Sequence, residues 1–206
     1  MNVRWKPVTS LISVGLAVVS VAGCATPTLV VSESITVYLL PLGPVPESQM
    51  QAAAAEVRTF NYRPVLLEPV PLENSLGDLE RRQLIAEKVT TRVHAAAHEL
   101  SLQNERPIFA ITQADLFVGQ KPRSPFSFAY GAPDQTVTLI STARMNPLGY
   151  GKPADETLLN TRLRKFVSRY LTYLTLRGGG TNNPKCVTYG PMNGVADIDR
   201  LGTTRC

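Results

Sequence analysis

His94 and His98 are the residues of this chain best spaced to hold a metal, and the sequence contains no other histidine. Four residues apart on a helix, their imidazoles turn to the same side, and Glu99 follows directly. Such a pair is half of a zinc site. Zinc takes four protein donors where it is structural, and three plus a water where it is catalytic. The peptidase pattern His-Glu-x-x-His carries its general base right after the first ligand, and Ala95 occupies that place here. Glu87, Thr91, His94, His98 and Ser101 share one polar face of the predicted helix. The two histidines therefore read as solvated side chains.

The three cysteines carry more. Cys24 follows Val21-Ala22-Gly23, which closes an apolar run from Leu11 to Val21 behind Arg4 and Lys6. A short basic start, an apolar stretch and small residues before the cut make a secretory signal peptide. The apolar run is too short to span a bilayer comfortably. An aliphatic residue followed by Ala-Gly-Cys is the bacterial lipobox, in which the cysteine is acylated and becomes the new N-terminus. Residues 1–23 are thus expected to be removed. Cys24 would anchor the chain by its lipid to a membrane of the bacterial cell envelope, on the extracytoplasmic side.

The mature chain would keep 183 residues, enough for one domain with a real core. Losing Arg4 and Lys6 lowers the formal charge from +5 to +3. The remaining basic residues are scattered, with no aromatic-interleaved cluster, so no nucleic-acid partner is expected. Cys186 and Cys206 are left as an even pair in an oxidising compartment, where a disulfide is the expected state.

The elements that would position these residues follow from pattern. Residues 24–34 read as a tether and 35–206 as the domain. Ile35–Leu40 and Arg63–Leu67 are predicted strands bounded by prolines. Pro46 precedes an Ala-rich helix over Glu47–Phe60. Asp78–Leu102 is predicted as one long helix with Ile85, Val89, Val93, Ala96 and Leu100 as its apolar stripe. Ile108–Thr112 is a short buried strand, and Phe126–Tyr130 with Thr136–Ser141 a hairpin. Asp155–Leu176 is the last helix, striped by Leu159, Leu163, Phe166, Tyr170 and Leu174 and ended by Gly178-Gly179-Gly180. Thr181–Cys206 is loop-rich.

The order of these segments resembles the archaemetzincin family of zinc peptidases over nearly all of the mature chain. Val37-Tyr38-Leu39-Leu40-Pro41-Leu42-Gly43 resembles the opening strand and turn of that family. Ile108-Phe109-Ala110-Ile111-Thr112-Gln113-Ala114-Asp115-Leu116-Phe117 resembles its "gIT-x-x-DLf" strand. Phe126–Ala132 and Leu139–Arg144 resemble its "FvFG-A … vvST-R" hairpin, and Arg162-Leu163-Arg164-Lys165 the start of its zinc helix. The resemblance implies an α+β domain with a twisted mixed sheet of about five strands, three main helices and a loop-rich tail.

It also implies zinc, bound through His-Glu-x-x-His-x-x-Gly-x-x-His-Cys, then after four residues Cys-x-Met, and after seventeen more Cys-x-x-Cys. Anchored on Cys186, the register puts the family's next cysteine on Cys206. The three histidine positions then fall on Tyr170, Leu174 and Gly180, and the general base on Leu171. Thr181 and Thr188 stand where the family has a cysteine and a methionine. No histidine follows His98, so no shift of register restores the motif, and the family's zinc has lost its ligands. Two cysteines of the structural-zinc set remain, able to close a disulfide.

The resulting expectation is a non-catalytic envelope lipoprotein with a binding or structural role. By the resemblance, Ser127, Phe128, Ala129, Tyr130 and Gly131 form the edge strand along which a peptide or protein partner could lie. Two alternatives stay open. One is a zinc peptidase with an atypical site drawn from His94, His98, Asp197 and Asp199. The other is a small-molecule binder in the vacated cleft, lined by Thr172, Tyr173, Thr175 and Tyr189.

Overall fold

The computed structural model describes residues 35–102, 106–121, 124–134, 136–176 and 180–206. The signal segment, Cys24 and the tether lie outside the described residues, as do Gly178 and Gly179. Among the described residues no helix is long and apolar enough to cross a membrane.

Strand β1 (Thr36–Leu42) is an interior strand of a five-stranded mixed sheet. Its neighbours β2 (Arg63–Leu66) and β5 (Ile108–Thr112) run parallel to it. β8 (Val137–Ser141) extends the parallel set, and antiparallel β7 (Ala129–Gly131) closes one edge. Side chains alternate across the pleat. Val37, Leu39, Phe109, Ile111 and Ile140 enter the core shared with helices α1 (Glu47–Arg58) and α3 (Glu156–Leu176). Leu40, Leu42, Ala110, Val137 and Leu139 enter the opposite core, under α2 (Ala86–Glu99). The sheet is covered on both sides, so its central strands read as continuous apolar runs.

The long helix expected over Asp78–Leu102 is the main revision. Its first third is not helical. The Asp78 carboxylate accepts from the backbone of Glu80 and Arg81, each at 3.0 Å, and Arg82 is left-handed at φ 53°. Gln83–Ile85 then forms β4, between β3 (Gly77–Asp78) and β6 (Leu116–Phe117) in a small second sheet. Local side-chain-to-backbone bonds thus compete with the helix, and strand pairing takes Leu84 and Ile85. The helix ends at Glu99, and left-handed Ser101 turns the chain.

Smaller differences have equally local causes. α1 stops at Arg58 rather than Phe60, before left-handed Asn61. In the hairpin only Ala129–Gly131 pairs with β8. The rings of Phe126 and Phe128 instead meet edge-on at 5.1 Å, and Phe128 packs against Phe166 of α3 at 5.8 Å. α3 begins as expected, with the Asp155 carboxylate accepting from Leu158 N at 2.8 Å, an N-cap. The tail holds one short helix, α4 (Val195–Arg200), and the expected Cys186–Cys206 disulfide, with Cα atoms 5.6 Å apart.

Candidate functional site

One face of α3 lies under the sheet edge. Leu159, Leu163, Phe166, Val167 and Leu171 are buried there, with Tyr170 and Leu174 packed against them. The Tyr170 ring meets Tyr173 nearly perpendicularly at 5.8 Å. It also lies against β7, since a Cβ on Gly131 would sit 3.3 Å from its Cε1. A side chain at Gly131 would press on the ring, so the glycine eases this close approach. Burial pushes the Tyr170 phenol up to about 12, so at neutral pH it holds its proton and is a poor metal donor.

Gly180 and Thr181 lie beside this neighbourhood. A Cβ on Gly180 would be 3.9 Å from the Tyr173 hydroxyl and 3.4 Å from the Thr188 carbonyl. Thr181 N donates to that same carbonyl at 3.1 Å. The positions aligned with the zinc motif therefore gather around the second half of α3. They offer one protonated phenol, two leucines and a backbone. Zinc needs three or four nitrogen, sulfur or carboxylate donors, and this set does not fit it. Leu171, at the general-base position, is fully buried and carries no proton acceptor.

The other candidate ligands lie elsewhere. α2 packs on the opposite side of the sheet from α3. There His94 Nε2 faces Asp134 at 3.3 Å, and His98 is exposed. Glu87, expected on a solvated face, instead accepts from Gly119 N at 2.9 Å and Gln120 N at 3.0 Å. Asp197 receives Asn193 N, Gly194 N and Arg200, and Asp199 pairs with Arg162. Among the described residues no three His, Cys, Asp or Glu side chains come within reach of one metal ion.

The face of α3 turned to the tail is cationic. Buried Arg169 donates to three backbone carbonyls, those of Val187, Tyr189 and Gly190, at 2.9–3.1 Å. Its guanidinium also lies 5.2 Å from the Tyr173 ring centre. Arg162 makes a fork-to-fork pair with Asp199, at 2.7 and 2.6 Å, and donates to Met145 O at 2.6 Å. The pair with Arg162 holds the Asp199 carboxyl below the usual carboxylate range despite some burial. Lys165 reaches the carbonyls of Ile198 and Asp199 at 3.0 and 2.8 Å. Its burial lowers the ammonium pKa. Gly202 abuts the Lys185 carbonyl so closely that no Cβ would fit. This clasp is not among the sequence-based expectations. Its signal is nonetheless present, as basic residues at 162, 165 and 169, spaced three and four apart on one helix.

Two residues of the resembling motifs also find a role. Arg144 holds the Asp115 carboxylate through Nε at 2.9 and 3.0 Å and Nη2 at 2.7 Å, and Gln83 Nε2 donates at 2.8 Å. Arg144 also covers the Phe126 ring at 4.3 Å. Burial would raise the Asp115 pKa, but the Arg144 and Gln83 bonds outweigh it and the net shift is downward. This network ties the turn after β5 to the end of β8.

Of the expected edge-strand residues, Ala129, Tyr130 and Gly131 lie in β7, whereas Ser127 and Phe128 precede it. Phe128 O accepts from Ser141 N, and Ala132 N donates to Val137 O, both at 2.8 Å. By the antiparallel alternation, residues 128, 130 and 132 bond inward, and Ala129 and Gly131 turn their backbone groups outward. The Ser127 hydroxyl occupies the Ala129 carbonyl at 2.7 Å. Among the described residues no strand pairs with β7 on its outer side.

No family model matches the chain. It is 30% identical over 122 residues to an archaemetzincin of Pyrococcus horikoshii, a match that covers 59% of this chain and 61% of that protein. The matched region thus spans about three fifths of that relative's length. Among solved structures it is similar to a zinc-dependent peptidase from Methanocorpusculum labreanum, with a TM-score of 0.71 and 20% identity. That match covers 82% of this chain and 95% of the other. It is also similar to the archaemetzincin of Archaeoglobus fulgidus complexed with malonate, with a TM-score of 0.66 and 19% identity, covering 84% and 96%. The fold is archaemetzincin-like.

Proposed function

We propose that this chain is a non-catalytic member of the archaemetzincin family, anchored in the bacterial envelope through Cys24, that binds an extended peptide or protein segment along β7. The observation that carries the reading is the chemistry of the α3 face beneath β7. Tyr170, Leu171, Leu174 and Gly180 stand at the zinc-motif positions and supply no metal-binding set. With no activated water and no general base, the scaffold retains a peptide-sized edge without the means to cut. Ala129 N–H, Gly131 N–H and Gly131 C=O are the backbone groups available for strand addition.

Two measurements test it on the intact protein. An extended peptide should shift the amide resonances of Ala129 and Gly131. Mass spectrometry should find substoichiometric zinc, with no cleavage of a peptide library. Stoichiometric zinc with cleavage would overturn the reading. Anchoring is tested by labelling with a palmitate analogue, which Cys24→Ser should abolish.

The competing reading is a zinc peptidase with an atypical site. It is supported by the likeness to the Pyrococcus horikoshii archaemetzincin. It would need His94, His98, Asp197 or Asp199 as ligands, and these divide between opposite sides of the sheet. Binding of a small molecule in the vacated cleft has less support, because Tyr170 and Leu174 fill that side of α3.

A further inference from the structure

A cavity of about 400 Å³ opens on the side of α3 facing away from the sheet, between the end of α1 and the C-terminal residues. Arg164, Lys165 and Ser168 line it from one turn of α3, with Glu56 and Arg205 across from them. Arg205 is held in place, donating to Thr59 O at 2.9 Å and stacking 3.6 Å over the Phe60 ring. Three cations thus meet one carboxylate. Glu56 is shared, accepting from Arg164 Nε at 3.1 Å and lying 3.9 Å from Arg205 Nη2.

The cations are not used up by these contacts. Lys165 gives two of its three N–H groups to the carbonyls of Ile198 and Asp199. Arg164 uses Nε, and its outer nitrogens bond to nothing among the described residues. Ser168 is only 6% exposed, and its hydroxyl likewise has no partner among the described residues. That hydroxyl is open to the cavity rather than sealed from water, so a ligand oxygen could take the place of water there.

We propose that this cavity binds an organic phosphate. A guanidinium, an ammonium and a hydroxyl line it from one turn of α3, Ser168 lying four residues after Arg164 and three after Lys165. Three separate donors match the three peripheral oxygens of a phosphate ester better than the two of a carboxylate. The volume lies within the lower range of small-molecule sites and leaves room for an organic group beyond the phosphate. That group could belong to a soluble ester or to a lipid headgroup.

The test is calorimetric titration of the full chain with glycerol 3-phosphate, inorganic phosphate and acetate. Its second arm is sedimentation with phosphatidate vesicles against phosphatidylcholine vesicles. Saturable binding of the phosphate compounds over acetate is expected. Ser168→Ala removes a hydroxyl with no internal partner and should fold normally. It should weaken binding about tenfold, as should Arg164→Gln. A preference for phosphatidate vesicles that Ser168→Ala reduces would assign the lipid source, and binding of the soluble compounds alone would assign the ester. The proposal is overturned by no saturable binding in either arm, by equal binding of acetate, or by affinity that neither substitution changes.

Discussion

On one side of α3, Leu163 and Phe166 press into the sheet, while on the other Arg162, Lys165 and Arg169 reach into the tail. The first side holds by area. It is apolar, non-directional and continuous with the core of β1, β5 and β8. The second holds by aim. Guanidinium and ammonium groups are pointed at particular carbonyls and one carboxylate. The tail between Thr181 and Cys206 has few apolar residues to bury, Val187, Ile198 and Leu201 among them. A disulfide and three cations from one helix order it.

Breaking the apolar side should have the largest effect. Phe166→Ala is expected to cost about 3–5 kcal/mol, read as a lower urea midpoint by circular dichroism. A loss under about 1 kcal/mol would mean that α3 is not seated on the sheet as described. Next comes Arg169→Met, which strands the carbonyls of Val187, Tyr189 and Gly190, the first of them buried, at a cost of about 3 kcal/mol. Its mark is local. Amide exchange should rise in residues 180–190 while β5 stays protected, whereas Phe166→Ala should raise both. Equal effects in the two variants would erase the distinction between the faces.

Reducing the Cys186–Cys206 bond, or Cys206→Ser, should cost up to about 3 kcal/mol by loop closure, checked by thermal unfolding with and without reductant. Unchanged stability would leave the cationic clasp as sufficient by itself.

The pH predictions are smaller and oppose each other in sign. The Tyr170 pKa is raised, because burial favours its neutral form. Its contribution is therefore complete below about pH 10, the ordinary tyrosine value, and is lost as pH rises toward about 12. Tyr170→Phe should flatten that alkaline limb and leave neutral stability nearly unchanged. The Asp199 pKa is lowered by Arg162. Its contribution is complete above about pH 4 and is lost as pH falls through the lower folded value. Asp199→Asn should flatten the acid limb, by less, because the carboxylate is 42% exposed.

Much of the frame is legible in the sequence. Ile108–Thr112 is a strand to the residue, and the stripe of α3 holds as far as Leu174. Both are dominated by apolar periodicity, which a sequence displays directly. The lack of histidines in the last helix and tail is legible for a simpler reason. A missing side-chain type is missing in any conformation, and no histidine follows His98. The first third of the long helix misleads because Ile85 fits a helical stripe, yet its partner Phe117 lies 32 positions on. Glu87 misleads in the same way, since its backbone partners, Gly119 and Gln120, come from a distant loop.

The sequence by itself therefore determined which residue types each segment contains and which residues form its core, because composition and periodicity are local properties. Only the tertiary structure decided what the charges do. A basic residue on α3 could face water, a carboxylate or a carbonyl, and the choice depends on which distant segment folds against it. Arg169 finds the Thr181–Gly190 turn, Arg162 finds Asp199, and Arg164, Lys165 and Ser168 are left around a cavity. These pairings depend on where the tail crosses the helix, which no spacing along the chain displays.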